Sequence, residues 1–139
     1  MKTHLFETIP EDSKKIIENF DVLLQDIKPL NSKQLAHLPE NIRELSHLLT
    51  DERGSRRMGY MNATVSLAAY VRYFMWWNLV RLAPVFSGFC KNDATKTIFS
   101  GLTDDSVLLD IGSGPLTVPV ALWLAAPELR KKKADVLLP

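Results

Sequence analysis

Apolar positions recur at helical spacing through most of the chain and then give way to a continuous apolar run. Ile16, Ile17, Phe20, Leu23, Leu24 and Ile27 fall at i, i+1, i+4, i+7, i+8 and i+11, one stripe at period 3.6. Pro10-Glu11-Asp12 opens this helix, because proline suits the first helical position and acids suit the positive end of the helix dipole. Pro29 ends it. Asn31-Ser32 can cap a short helical turn before Pro39, and a second clear helix follows to Thr50 with Ile42, Leu45, Leu48 and Leu49 on one face. Residues 51–59 form a polar, glycine-bearing break that holds Arg53, Arg56 and Arg57. Residues 60–82 are too long for a strand and read as a mostly buried helix, which Pro84 terminates or kinks. Residues 85–99 read as one more helix, with Gly88 its weak point.

The pattern changes near residue 100. After a turn signal at 101–105, Ser106-Val107-Leu108-Leu109-Asp110-Ile111 reads as a short, buried parallel strand. Gly112-Ser113-Gly114-Pro115 is a tight turn, and residues 116–126 are helical in pattern, with Pro119 tolerable in the first turn. Pro127 and the basic run 130–133 close that helix, since cations suit a helix C-terminus. Residues 134–138 start a second strand. The predicted organisation is a helical N-terminal region over 1–100, then over 101–139 the first β-α-β of an α/β, Rossmann-like domain.

Composition narrows the classes. The chain is 46% apolar and 24% charged, as in ordinary globular proteins. A net charge of +1 exerts no global pull on nucleic acid, so a local patch would have to hold such a partner. Cys90 is the one cysteine, which excludes an internal disulfide and, beside Phe86 and Phe89, reads as a small buried hydrophobe. No metal site is expected: His4, His37 and His47 show neither ligand spacing nor a partner acid. The N-terminus lacks the apolar core of a signal peptide, and the most apolar stretch, 61–89, is interrupted by Arg72, Asn78, Arg81 and Pro84. These features predict a cytoplasmic chain in a reducing compartment, with no membrane partner.

The segment with chemical content is VLLDIGSGPLTVPVALWLAA, residues 107–126. Strand, glycine-rich turn and helix make the first half of a nucleotide-binding βαβ unit. Gly112 can take a backbone conformation forbidden to other residues, and Gly114 allows close approach of a ligand. Asp110 stands at the carboxyl end of the strand, where ligands bind in open α/β sheets. An acidic residue followed by Gly-x-Gly resembles motif I of class I S-adenosylmethionine (SAM)-dependent methyltransferases. That resemblance implies S-adenosyl-L-methionine as cofactor, with Asp110, Gly112, Ser113 and Gly114 lining its methionine moiety. The chain departs from the motif at Leu116, where the family commonly has a third glycine; a dinucleotide site also wants that glycine. With Leu38–Arg53, the aromatic stretch AYVRYFMWWNLVRL and DIGSGPLTVPVALWLA, the string resembles the small-ribosomal-subunit-associated methyltransferases of bacteria and mitochondria. Ribosomal RNA or the small subunit is the partner this implies.

Other readings stay open. Gly-x-Gly can be a merely structural turn, leaving a small helical interaction protein, and the chain can be a non-catalytic ribosome-assembly module. Tyr70, Tyr73, Phe74, Trp76 and Trp77 read as core or as a wall of the cofactor pocket, with Asn78 or Arg81 reaching the ligand. Arg53, Arg56, Arg57 and the run 130–133 are candidates for RNA phosphates, or are a solvated loop and a helix end. Asp135 lies at the distance expected of a ribose-binding acid but precedes its apolar run, so it is not assigned. A βαβ unit takes roughly 30 residues, so the residues after 105 suffice for strand one, helix one and part of strand two. The expectation is a truncated sheet whose exposed edges drive self-association. The 139-residue chain alone is expected to transfer no methyl group.

Overall fold

The computed structural model describes residues 8–51, 54, 59, 62–97, 101, 103, 105–112, 114–131 and 135–137. Within them the chain is mostly helical: α1 (Glu11–Glu18), α2 (Phe20–Ile27), α3 (Ser32–Thr50), α4 (Thr64–Ala69), a π-helical segment (Tyr70–Met75) and α5 (Trp76–Lys91). After these come β1 (Val107–Leu109), α6 (Thr117–Ala125), a 3-10 turn (Pro127–Lys131) and β2 (Asp135–Leu137). The compact units do not divide at residue 100. One spans Asn19–Trp76; the other joins α1 to the chain from Trp77 onward.

In the Asn19–Trp76 unit, α3 runs unbroken through Pro39. The sequence predicts a short turn and a new helix at that proline. A capping box decides otherwise: Gln34 N donates to Asn31 Oδ1 and Asn31 N to Gln34 Oε1, both at 2.9 Å. The box satisfies donors at the helix start and nucleates it upstream of the proline, which then removes one internal bond. Leu45 is buried, and Ile42, Leu48 and Leu49 are half-buried beside it, as the stripe requires. Arg72, on the π-helical segment, closes the C-terminal end of α2: its Nη2 donates to Lys28 O at 2.9 Å and Gln25 Oε1 at 3.1 Å. Gln25 in turn clamps Leu30, donating to its carbonyl at 2.8 Å and accepting from its N–H at 3.1 Å. Tyr70 stacks on Phe74 at 5.8 Å, and Tyr73 meets the same ring edge-on at 5.1 Å.

The stripe predicted as one helix over residues 11–27 breaks at Asn19, whose φ of −107° and ψ of 22° are not helical. Ile17 is buried on the α1 side of the break, whereas Val22, Leu23 and Ile27 on α2 are exposed. Periodicity alone could not distinguish one helix from two, because the break leaves the spacing of apolar residues unchanged.

In the other unit, Pro84 neither ends nor splits its helix; it is buried within α5, which continues past Gly88 to Lys91. Ile9, Ile17, Leu79, Ala83, Ala121, Leu124 and neighbouring alanines are buried. Buried Ser13 ties α1 to α6, its Oγ donating to Leu124 O at 2.7 Å. Ser87 Oγ and Lys91 Nζ both donate to Thr8 O. β1 and β2 align in parallel, Val107 with Asp135, Leu108 with Val136 and Leu109 with Leu137. Two three-residue strands do not amount to a Rossmann-like sheet, and no further strand occurs among the described residues. The expectation of a buried strand is corrected as well: Val107 and Leu109 are 59% and 58% exposed. One face of β1 has no covering layer among the described residues.

Candidate cofactor-binding turn

A local turn sets the strand. Thr103 N donates to Ser106 Oγ at 2.8 Å and Ser106 N to Thr103 O at 3.1 Å, so the chain enters β1 with its polar groups satisfied. Asp110 follows the strand directly and is 6% exposed. Gly112 and Gly114 then take φ of +81° and +72°. Both values lie where an L side chain is disfavoured, which is the physical need for glycine there. Leu116, in the place of the third glycine, takes the same left-handed region at φ 62° and ψ 28°. Leu116 N closes a tight turn onto Gly114 O at 2.8 Å, and Val120 N onto Leu116 O at 3.0 Å begins the helical ladder of α6. Leu116, at the N-cap, makes no side-chain hydrogen bond to that helix start.

The result is a strand end with a buried carboxylate, a turn with left-handed residues at 112, 114 and 116, and a helix whose N-cap residue supplies no side-chain cap. Uncapped N–H groups and the positive end of the helix dipole favour an anionic ligand group. Thr117, the first residue of α6, is 2% exposed, and its Oγ1 has no hydrogen-bond partner among the described residues.

No family model, characterised protein or solved structure matches the chain.

Of the residues singled out by sequence, the structure brings Asp110, Gly112 and Gly114 into one turn. Ser113 lies outside the described residues, as do Arg53, Arg56 and Arg57. Asp135 begins β2, opposite Val107, and so stands at the far end of the pair from the turn. Arg130, from the basic run, is committed inside the protein. It donates to Trp123 O at 2.8 Å and Leu124 O at 3.2 Å, and also to Ser13 Oγ and Asp12. Its guanidinium lies 4.4 Å from the Trp123 ring centroid. Arg81 sits over Trp77 at 5.8 Å.

His47 has the partner acid that the sequence reading denied it. Its Nδ1 lies 2.8 Å from Asp51 Oδ2 at the end of α3, and the i, i+4 spacing of His47 and Asp51 is the signal that was there to be read. The hydrogen bond from His47, helped by Thr50, holds the Asp51 carboxyl below its usual value. Cys90 is half-buried; burial first, then the charge of Glu128, push its thiol up, against a smaller opposing effect of Lys91. Among the described residues no His, Cys, Asp and Glu side chains gather to hold a metal ion, and no helix is long and apolar enough to cross a membrane.

Proposed function

We propose that residues 110–117 are the amino-acid side of an S-adenosyl-L-methionine site, in a chain of methyltransferase descent that works on or around small-subunit ribosomal RNA in the cytoplasm. One observation carries the reading: the left-handed positions at 112, 114 and 116. Glycine takes that conformation freely, whereas at Leu116 it costs roughly 1–2 kcal/mol. Strain kept at a turn between a strand and a helix points to a ligand-shaped backbone.

The residues present fit the methionine end of the cofactor. Asp110 would face its ammonium group, while the N–H groups of the glycine turn and of the start of α6 would face its carboxylate. Ser113 would join them by the family resemblance. When bound, S-adenosylmethionine supplies a methyl group already activated on a sulfonium. The protein's part is to hold the nucleophile in line with it. The ribosomal assignment rests on the resemblance, and with Arg130 committed internally any phosphate contact falls to Arg53, Arg56, Arg57 and the lysines after 130.

Titration with S-adenosylhomocysteine, followed by amide NMR, tests the reading. Weak, saturable shifts at Gly112 and Gly114 are expected, lost in Asp110→Ala, with no methyl transfer to ribosomal RNA by the 139-residue chain. Absence of shifts at these amides at millimolar ligand sinks it. A non-catalytic helical interaction or ribosome-assembly module is the second reading, favoured by the unfilled apolar groove in the Asn19–Trp76 unit. Filter binding to ribosomal RNA, with and without Arg53, Arg56 and Arg57 changed to alanine, separates assembly factor from simple interaction module.

A further inference from the structure

The Asn19–Trp76 unit carries an apolar groove that the glycine turn does not use. Its larger compartment, about 320 Å³, lies between α3 and α4 over Leu38, Val65 and Ala68. A second compartment of about 110 Å³ continues it toward Leu24, Leu67 and Val71. Leu30, Thr64 and Ala68 line both, so the two form one groove with a shared wall. The larger compartment is at the low end of the roughly 300–1,000 Å³ of ordinary ligand pockets, and both open to solvent.

Among the described residues the charge lining the groove has one sign. Lys33 lines the first compartment, Lys28 and Arg72 the second, and no carboxylate among the described residues lines either. Arg72 is taken up by α2, whereas Lys28 and Lys33 are exposed. A third, more polar cavity adjoins the first compartment across the shared wall of Asn41 and Val65, and Glu44 lines it at the end of the groove away from Lys28 and Lys33.

We propose that this groove docks an acidic amphipathic helix of a partner protein. Adjoining apolar compartments along a groove are what successive anchor side chains of a helix require. The basic rim selects carboxylates on the flanks of that helix and steers its approach. Openness argues against a single-chain amphiphile, whose tail would stay partly in water. The largely apolar floor of Leu24, Leu30, Leu38, Val65, Leu67 and Val71 argues against nucleic acid, whose phosphates would gain nothing from it.

The probe is a fluorescein-labelled peptide of about 15 residues, long enough for marginal helicity, with leucines on one helical face and glutamates elsewhere. Anisotropy is expected to show saturable binding that weakens with salt. Lys28→Glu combined with Lys33→Glu should loosen it about tenfold, the scale of reversing exposed ion pairs. Ala68→Trp, which puts a large ring on the wall the two compartments share, should abolish it. If that variant fails to fold by circular dichroism, the exposed double variant still decides. Equal binding of the peptide with lysine in place of glutamate overturns the proposal, as does an unchanged affinity in the double variant. Saturable dodecanoate binding without peptide binding would assign the groove to a small amphiphile and overturn it equally.

Discussion

Replacing Arg130 by alanine removes a helix cap rather than a surface charge. The side chain is 16% exposed, and its donors reach Trp123 O and Leu124 O, carbonyls of the last turn of α6 that have no partner within the helix. Each such bond contributes about 1 kcal/mol net, and stacking on Trp123 adds roughly 0.5–1 kcal/mol. The expected loss is therefore about 2–3 kcal/mol, read as a lower urea midpoint with an unchanged slope. Arg130→Lys should recover only part of it, because an ammonium cannot reproduce the planar fork. Asp12 is 60% exposed, so Asp12→Asn should shift the midpoint little. The acid side supplies an independent check. The hydrogen bond from Arg130 is the main cause that holds the Asp12 carboxyl below its ordinary 3.8. A depressed folded value means the contribution is present above 3.8 and is lost as pH falls through the lower folded value. That part of the acid dependence should vanish in Arg130→Ala. A midpoint shift worth under about 0.5 kcal/mol, or an equal shift in Asp12→Asn, would refute the capping argument.

Further outcomes follow from the turn and from the other unit. Gly112→Ala should destabilise by about 1–2 kcal/mol in thermal melts through backbone strain alone, since a Cβ there would meet nothing within 4 Å; Gly112→Asn should cost less. Thr117→Val should leave stability unchanged or raise it by up to about 1 kcal/mol, because a methyl replaces a buried hydroxyl without a partner among the described residues. A clear loss would mean that this hydroxyl is held. Arg72→Met should cost about 1–2 kcal/mol and speed amide hydrogen exchange in the last turn of α2; unchanged exchange there would contradict its capping role.

The candidate site was legible because its signals are local. Asp110, Gly112 and Gly114 sit within a few positions of one another, and a positive φ leaves its mark in the choice of glycine. Leu116 was the misleading position. A leucine advertises no left-handed backbone, yet the turn imposes one. The prolines misled in the opposite direction: Pro39 reads as the start of a new helix and Pro84 as an end or a kink, and both lie inside helices. One lost hydrogen bond does not outweigh a capped, packed helix on either side.

By itself the sequence determined what depends on near neighbours: the helical periods, the strand-turn-helix order around residues 107–125, and the glycine positions of the turn. Tertiary structure decided what depends on distant groups. Nothing in the basic run 130–133 shows that Arg130 belongs to Asp12, 118 positions away, because an ion pair leaves no period in the chain. Nor could the pattern of Val107, Leu109 and Ile111 foretell their exposure: an apolar run states which side chains favour burial, whereas burial itself depends on another layer to cover them.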